Sequence, residues 1–255
     1  MQKFLVVLGL VAAVMFLIGS GEFLCAEQAQ KPVEGQNWTS PSTGMEFVWI
    51  EALEMWVGKY EVTNAEYRKK EPRHNSREYK GHTLNRDRQP VVSMNFDDAK
   101  AYAQWLTGQD MGVLPSGYKY RLPSGDEWTT FAQCGDGRTY PWGNNWPPRS
   151  GQAGNYADEA ANRGFSDWST ISGYNDGHPV TALVDELWVN PWGLAGVGGN
   201  VWEATSSDSS GGSFGAWRGA SWRTHIQDYL RCSYRYVFGP LYRGNSLGFR
   251  LVLSR

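Results

Sequence analysis

One large, loop-rich domain of mixed short strands and helices is the architecture these residues predict, and three observations carry the prediction. The chain of 255 residues holds 13 tryptophans and 30 glycines, too many of both for a helical bundle or a parallel α/β sheet. Its C-terminal stretch, residues 192–250, shows glycine, tryptophan and arginine where periodic apolar patterns would otherwise stand. Glycine permits positive φ and close backbone approach. Arginine among aromatic rings stacks on them and bonds backbone carbonyls, which holds loops where ladders are absent. Beyond an N-terminal apolar segment, roughly 230 residues remain, enough for one domain with a sizeable core.

The first 26 residues read as a signal peptide. Lys3 precedes an unbroken apolar run at 4–18 (FLVVLGLVAAVMFLI), followed by Gly19-Ser20-Gly21 and a further small residue at Ala26. The run is shorter than the about 20 residues a membrane span needs. Export is therefore the expectation: secreted, periplasmic or in the cell envelope. Membrane contact would come only through this segment, if uncleaved or if lipidated at Cys25, although bulky Phe23 and Leu24 argue against lipidation. Residues 27–43, with Pro32, Gly35 and Pro41, read as a linker, and the domain is expected from 44 to 255.

A formal charge of −2 and a pI near 6.1 give no reason to expect nucleic acid or an anionic membrane surface as partner. Cys134 and Cys232 lie in the exported part, where an even count favours a disulfide over two buried thiols.

Within the domain, residues 45–49 (MEFVW) and 55–60 (MWVGKY) predict two strands able to pair as a hairpin. Thr63 and Glu66 have the spacing of a capping box at the start of a short helix. The clearest helix spans 96–107, capped by Asn95. It has Phe96, Ala99, Ala103 and Leu106 on one face, Tyr102 beside it, and Asp97-Asp98 in the first turn complementing the dipole. A third helix begins at Ser124, with Glu127 completing its box and Trp128, Phe131 and Ala132 facing inward. Residues 151–190 form a long polar excursion; such a loop inside a compact domain is functional or held by something else, such as a metal.

Seven segments, taken in order, resemble the formylglycine-generating enzyme family, also called the sulfatase-modifying-factor domain. They are E-V-T-N-A-E-Y (61–67), P-V-V-S-M-N-F-D-D-A (90–99), Y-R-L-P-S-G-D-E-W (120–128), Y-P-W-G-N (140–144), G-N-V-W-E (199–203), R-G-A-S-W (218–222) and L-G-F-R (247–250). The resemblance implies a single α+β domain with little regular secondary structure, similar to C-type lectin folds. It also implies structural Ca²⁺, which takes six to eight hard oxygens and accepts loop carbonyls. By position, one ion would use the Asn155 side chain, Tyr156 carbonyl, Asp176 side chain and His178 carbonyl. A second would use Glu203 with the carbonyls of Gly196, Gly199 and Val201; Gly196 stands where the family usually offers Asn or Asp. Without the resemblance, Asp176 reads as a turn residue of Asn175-Asp176-Gly177. The resemblance further implies a Cys134–Cys232 bridge.

One departure decides the chemistry. The family's oxidase uses two cysteines shortly after the serine matched by Ser221, and soft thiolates are what Cu(I) selects. Here Thr224 stands at the first position, and no cysteine occurs between Ser221 and Arg231. No catalytic residue is assigned and no copper is expected.

The expected function is then a binding module for a protein, peptide or glycan. Its surface would be drawn from Ser221, Trp222, Arg223, Thr224, His225, Asp228, Tyr229, Tyr234, Tyr236, Phe238 and Tyr242, since rigid aromatics with arginine are enriched at recognition hot spots. Trp222 and Tyr234 have core packing as their plain alternative. Two other readings are a non-oxidase enzyme of the family, acting in periplasmic metabolite maturation, and a structural subunit of an envelope assembly. The four dispersed histidines, His74, His82, His178 and His225, argue against iron chemistry.

Overall fold

In the computed structural model, residues 31–206, 216–237, 239 and 241–255 are described. The signal-peptide segment, Cys25 and Phe238 lie outside them. The polar stretch before residue 44 is not a linker throughout. Trp38–Thr39 forms β1, which pairs antiparallel with β2, Glu46–Ile50. The buried Trp38 donates from Nε1 to the Tyr120 hydroxyl at 2.9 Å, and Ser40 donates to Asp110 at 2.7 Å. A single buried tryptophan turned this segment from spacer into sheet edge.

The expected hairpin forms: β2 pairs with β3, Met55–Gly58, with Trp49 opposite Trp56. The short helix α1, Asn64–Arg68, begins at a reciprocal Thr63–Glu66 capping box. Residues 78–83 make a small hairpin. Its strands are β4, Glu78–Tyr79, and β5, His82–Thr83, joined by a Lys80-Gly81 turn with both φ positive. Helix α2, Phe96–Asp110, is capped by Asn95 and buries Ala99, Tyr102, Ala103 and Leu106. Asp98 accepts the Asn95 backbone N–H at 2.9 Å, so it completes the cap as well as complementing the dipole.

Strand β6, Lys119–Arg121, leads into α3, Gly125–Gln133, whose Ser124–Glu127 box and buried Trp128, Phe131 and Ala132 follow the sequence pattern. The long excursion contains one helix that hydrophobic periodicity does not reveal, α4, Glu159–Gly164, capped by the buried Asp158. Strands β7 (Trp202–Ala204), β8 (Trp217–Arg218) and β9 (Leu247–Gly248) make a three-stranded sheet, in which β7 and β9 run parallel. Finally β10, Val252–Ser254, enters the main sheet between β3 and β6, giving the order β1-β2-β3-β10-β6. Among the described residues, no helix is long and apolar enough to cross a membrane.

Arginine does structural work in the irregular half. Buried Arg218 donates to the Ser233 carbonyl at 3.1 Å and the Tyr234 carbonyl at 3.3 Å, pinning a loop that has no ladder of its own. Arg250 does the same for the carbonyls of Gly58, Lys59 and Ala195.

Candidate functional site

Two loci bear on function, and they meet at one backbone bond. The first is where the polar excursion folds back on itself. Asn155 is buried, and its Nδ2 donates to the Val180 carbonyl at 2.7 Å and to Asn200 Oδ1 at 3.1 Å. Asn200 Oδ1 also accepts the Ala182 N–H at 2.9 Å, which fixes the orientation of both amides. Asn155 Oδ1 is thereby left buried with no hydrogen-bond partner among the described residues. Burying an acceptor unpaired costs about 1–3 kcal/mol.

Asn155 and Asp176 both line a cavity of about 280 Å³, with His178 and Glu186 at its wall. Asp176 accepts the backbone N–H groups of Tyr156 at 2.9 Å and His178 at 2.8 Å, and its own N–H reaches the fully buried Asp158. Burial, then the charge of Asp158, pushes the Asp176 carboxyl up to about 8. The orphaned amide oxygen and the Asp176 carboxylate, with Asp158 behind it, are hard oxygens of the kind Ca²⁺ takes.

The second ion set does not fit. Glu203 is buried, but both its oxygens are already engaged. Arg250 Nη2 lies 2.8 Å from Oε1, Arg250 Nε lies 3.1 and 3.2 Å from the two oxygens, and Trp128 Nε1 donates to Oε2 at 2.7 Å. Gly196 has no side chain to offer, and a Cβ there would meet Leu187 at 2.6 Å. The Arg250 guanidinium already balances the Glu203 charge, so this carboxylate serves the core. Glu61 does the same: it accepts from Asn200 Nδ2 at 2.6 Å and the Val201 N–H at 3.2 Å. Burial, then the Glu203 charge, pushes Glu61 up to about 8.

The second locus is the rim after Ser221. Ala157 N–H, two residues after Asn155, donates to the Thr224 carbonyl at 3.1 Å and ties the two loci together. Thr224 is buried, with its hydroxyl 3.3 Å from Ser221 Oγ. Trp222 is a core residue, fully buried with its Nε1 on the Asn245 carbonyl, and so is not available to a ligand. Arg223 is exposed and lies over three rings, with Cζ 4.9 Å from the centroid of Tyr79, 5.3 Å from Trp168 and 5.5 Å from Trp222.

Tyr229, Tyr234 and Tyr236 form a separate half-buried group. Tyr229 stacks on Tyr234 at 4.5 Å, and Trp202 backs Tyr234 and Tyr236 at 6.1 and 5.7 Å. His225 is half-buried, Asp228 is exposed and paired with Arg231, and Tyr242 is exposed. The single surface expected from sequence is therefore two aromatic groups flanking the buried Ser221–Thr224 turn. Tyr79, Trp168 and Asn245 were not foreseen. Tyr79 sits in a hairpin that no alternating pattern marks, and Trp168 in the excursion. Asp158 could have been found, since an aspartate before Glu-Ala-Ala is a helix-cap signature.

The implied disulfide is absent here. Cys134 and Cys232 are both free thiols, and the Cys134 S–H faces its own helix, on the Phe131 carbonyl at 3.7 Å. Burial pushes the Cys232 thiol up to about 12.

Among the described residues, mixed small sheets and four helices, braced by arginine-to-carbonyl bonds rather than long ladders, define an α+β class in which loops carry the sites. The chain belongs to the sulfatase-modifying factor enzyme 1-like domain family, whose model matches residues 11–255. It is 36% identical over 120 residues to a formylglycine-generating enzyme of Thermomonospora curvata, covering 47% of this chain and 33% of that one. It is 32% identical over 136 residues to the inactive C-alpha-formylglycine-generating enzyme 2 of Bos taurus, covering 52% of this chain and 38% of the relative. The matches thus span well under half of these relatives. Among solved structures, PvdO from Pseudomonas aeruginosa aligns with a TM-score of 0.63 at 19% identity, over 88% of this chain and 100% of that one; this likeness concerns the fold.

Proposed function

We propose that this chain is an exported binding module built on the sulfatase-modifying-factor scaffold, braced by one calcium ion and without copper oxidase activity. The observation that carries the reading is Thr224. It occupies the position where the resemblance places the first thiolate, it is buried against Ser221, and no cysteine follows before Arg231. A hydroxyl is a hard donor that Cu(I) does not select.

Calcium would be held by Asn155 Oδ1 and Asp176, with the Tyr156 and His178 carbonyls. It would neutralise the Asp158–Asp176 repulsion and so fix the turn on which Ala157 holds Thr224. The ligand surface would be the exposed rim around Arg223, with Tyr229 on the neighbouring group.

Two measurements test this. A cysteine-bearing sulfatase-type peptide incubated with the chain, copper and oxygen should show no aldehyde by mass spectrometry; conversion would overturn the reading. On peptide and glycan arrays the chain should retain a ligand that Arg223→Gln with Tyr229→Ala releases. Retention unchanged by both substitutions would reject this surface. The mass of the mature N-terminus, after secretion, tests export.

A further inference from the structure

The charge of the C-terminal region opposes that of the chain. Residues 216–255 contain seven arginines and a single carboxylate, Asp228, in a protein of formal charge −2. Most of these arginines are committed. Arg218 and Arg250 are buried, Arg231 pairs with Asp228, and Arg243 pairs with Asp98.

Arg223 differs. It is exposed and has no ion pair among the described residues; its hydrogen bond runs from Nη1 to Asn245 Oδ1 at 3.1 Å. Cation–π contact with the rings of Tyr79, Trp168 and Trp222, together with the bond to Asn245, restrains the guanidinium. The ordering entropy of a long side chain is thus already spent before any ligand arrives, while the edge bearing Nη2 and Nε keeps its donors for a planar anion.

The segments next to this head in sequence, and next to the residue that holds it, expose large apolar side chains. Ile226 is 44% exposed, Leu241 73% and Tyr242 51%. Ile226 follows Arg223 by three residues, and Leu241 and Tyr242 lead into Asn245, the residue that holds Arg223. A held cation without an ion pair, whose neighbouring segments expose apolar side chains, matches a carboxylate next to an apolar side chain.

Resting on the binding-module reading, we propose that this rim docks an acidic, apolar peptide segment of another protein, with an Asp or Glu carboxylate on Arg223 and an adjacent apolar side chain on Ile226, Leu241 and Tyr242. A stacked sugar fits less well, because the nearest ring faces are already covered. Arg223 lies on them, and Trp168 and Trp222 stack on each other at 5.6 Å and 23°. A nucleic-acid backbone needs a row of free cations rather than one.

The test is selection of a random decapeptide display library on the intact chain, followed by fluorescence anisotropy of the enriched peptides. Enriched peptides should carry Asp or Glu beside Leu, Ile, Phe or Tyr. Their affinity should fall about tenfold or more in Arg223→Gln, partly recover in Arg223→Lys, and fall in Leu241→Ser with Tyr242→Ser. Thermal melting of each variant establishes that it is folded. Enrichment of basic or neutral peptides, affinities untouched by Arg223→Gln, or no enrichment at all overturns the proposal. In those cases an array ligand that Arg223→Gln and Tyr229→Ala release would leave the broader module reading standing.

Discussion

Gly199 and Glu61 show how tightly single positions are specified around the loops. Gly199 has φ +85°, and a Cβ there would lie 2.6 Å from both the backbone N and O of Asn155. Neither neighbour can retreat, since Gly199 N–H is bonded to the Gly219 carbonyl at 2.7 Å and Asn200 N–H to the Asn155 carbonyl at 2.6 Å. Gly199→Ala should destabilise by about 2–3 kcal/mol in chemical unfolding, through strain and the forced separation of two backbones. A loss within the range of an ordinary surface substitution would show that the loops give way.

Glu61 makes a pH prediction. Its carboxyl is raised from 4.5 to about 8, so between those values the folded chain holds a proton that the unfolded chain releases. Stability is then greatest below the window and falls as pH rises through it, by up to about 1.4 kcal/mol per pH unit. Glu61→Gln should flatten that dependence in urea midpoints measured across the window. Parallel curves for parent and variant would mean that the proton resides elsewhere.

At the level of elements, the helices are marked by their caps. Three of the four among the described residues begin at a reciprocal box, at Thr63, Asn95 and Ser124, and each pairing is written in residues three apart. Ser124→Ala should cost about 1 kcal/mol in thermal or urea unfolding while leaving the Arg121–Glu127 pair in place. A much larger loss would mean that the cap also sets the adjoining strand. The strands are another matter. Beyond the β2–β3 hairpin they are mostly two or three residues long, too short for alternation to announce them. Thus β1 was hidden in a polar stretch, and β4–β5 was hidden in a segment without apolar residues at alternate positions.

For the molecule as a whole, the loops close through charge. The Asn155–Asn200–Glu61 hydrogen-bond chain links the proposed cation cradle to the Glu203–Arg250 pair, and Ala157 links the same cradle to Thr224. Calcium should raise the melting temperature of the chelated protein, and titration calorimetry should count one ion per chain, since Arg250 already serves Glu203. Asp176→Asn should abolish most of the calcium-dependent rise. Two ions per chain would show that Arg250 yields its place.

Residue type and spacing alone determined the capped helices and the first hairpin, because each depends on neighbours within a few positions; the order of the motifs carried the resemblance to the family, and the sequence itself puts threonine at position 224. They also marked Asn155 and Asp176 as one potential pair through the resemblance. Other features arose only when distant segments met. Trp222 is turned inward, Tyr79 and Trp168 are brought beneath Arg223, Arg250 is set on Glu203, and β10 is placed in the middle of the main sheet. Burial, ring stacking and the pairing of buried charges depend on which segments touch. In a fold held by loops, local pattern carries little of that information.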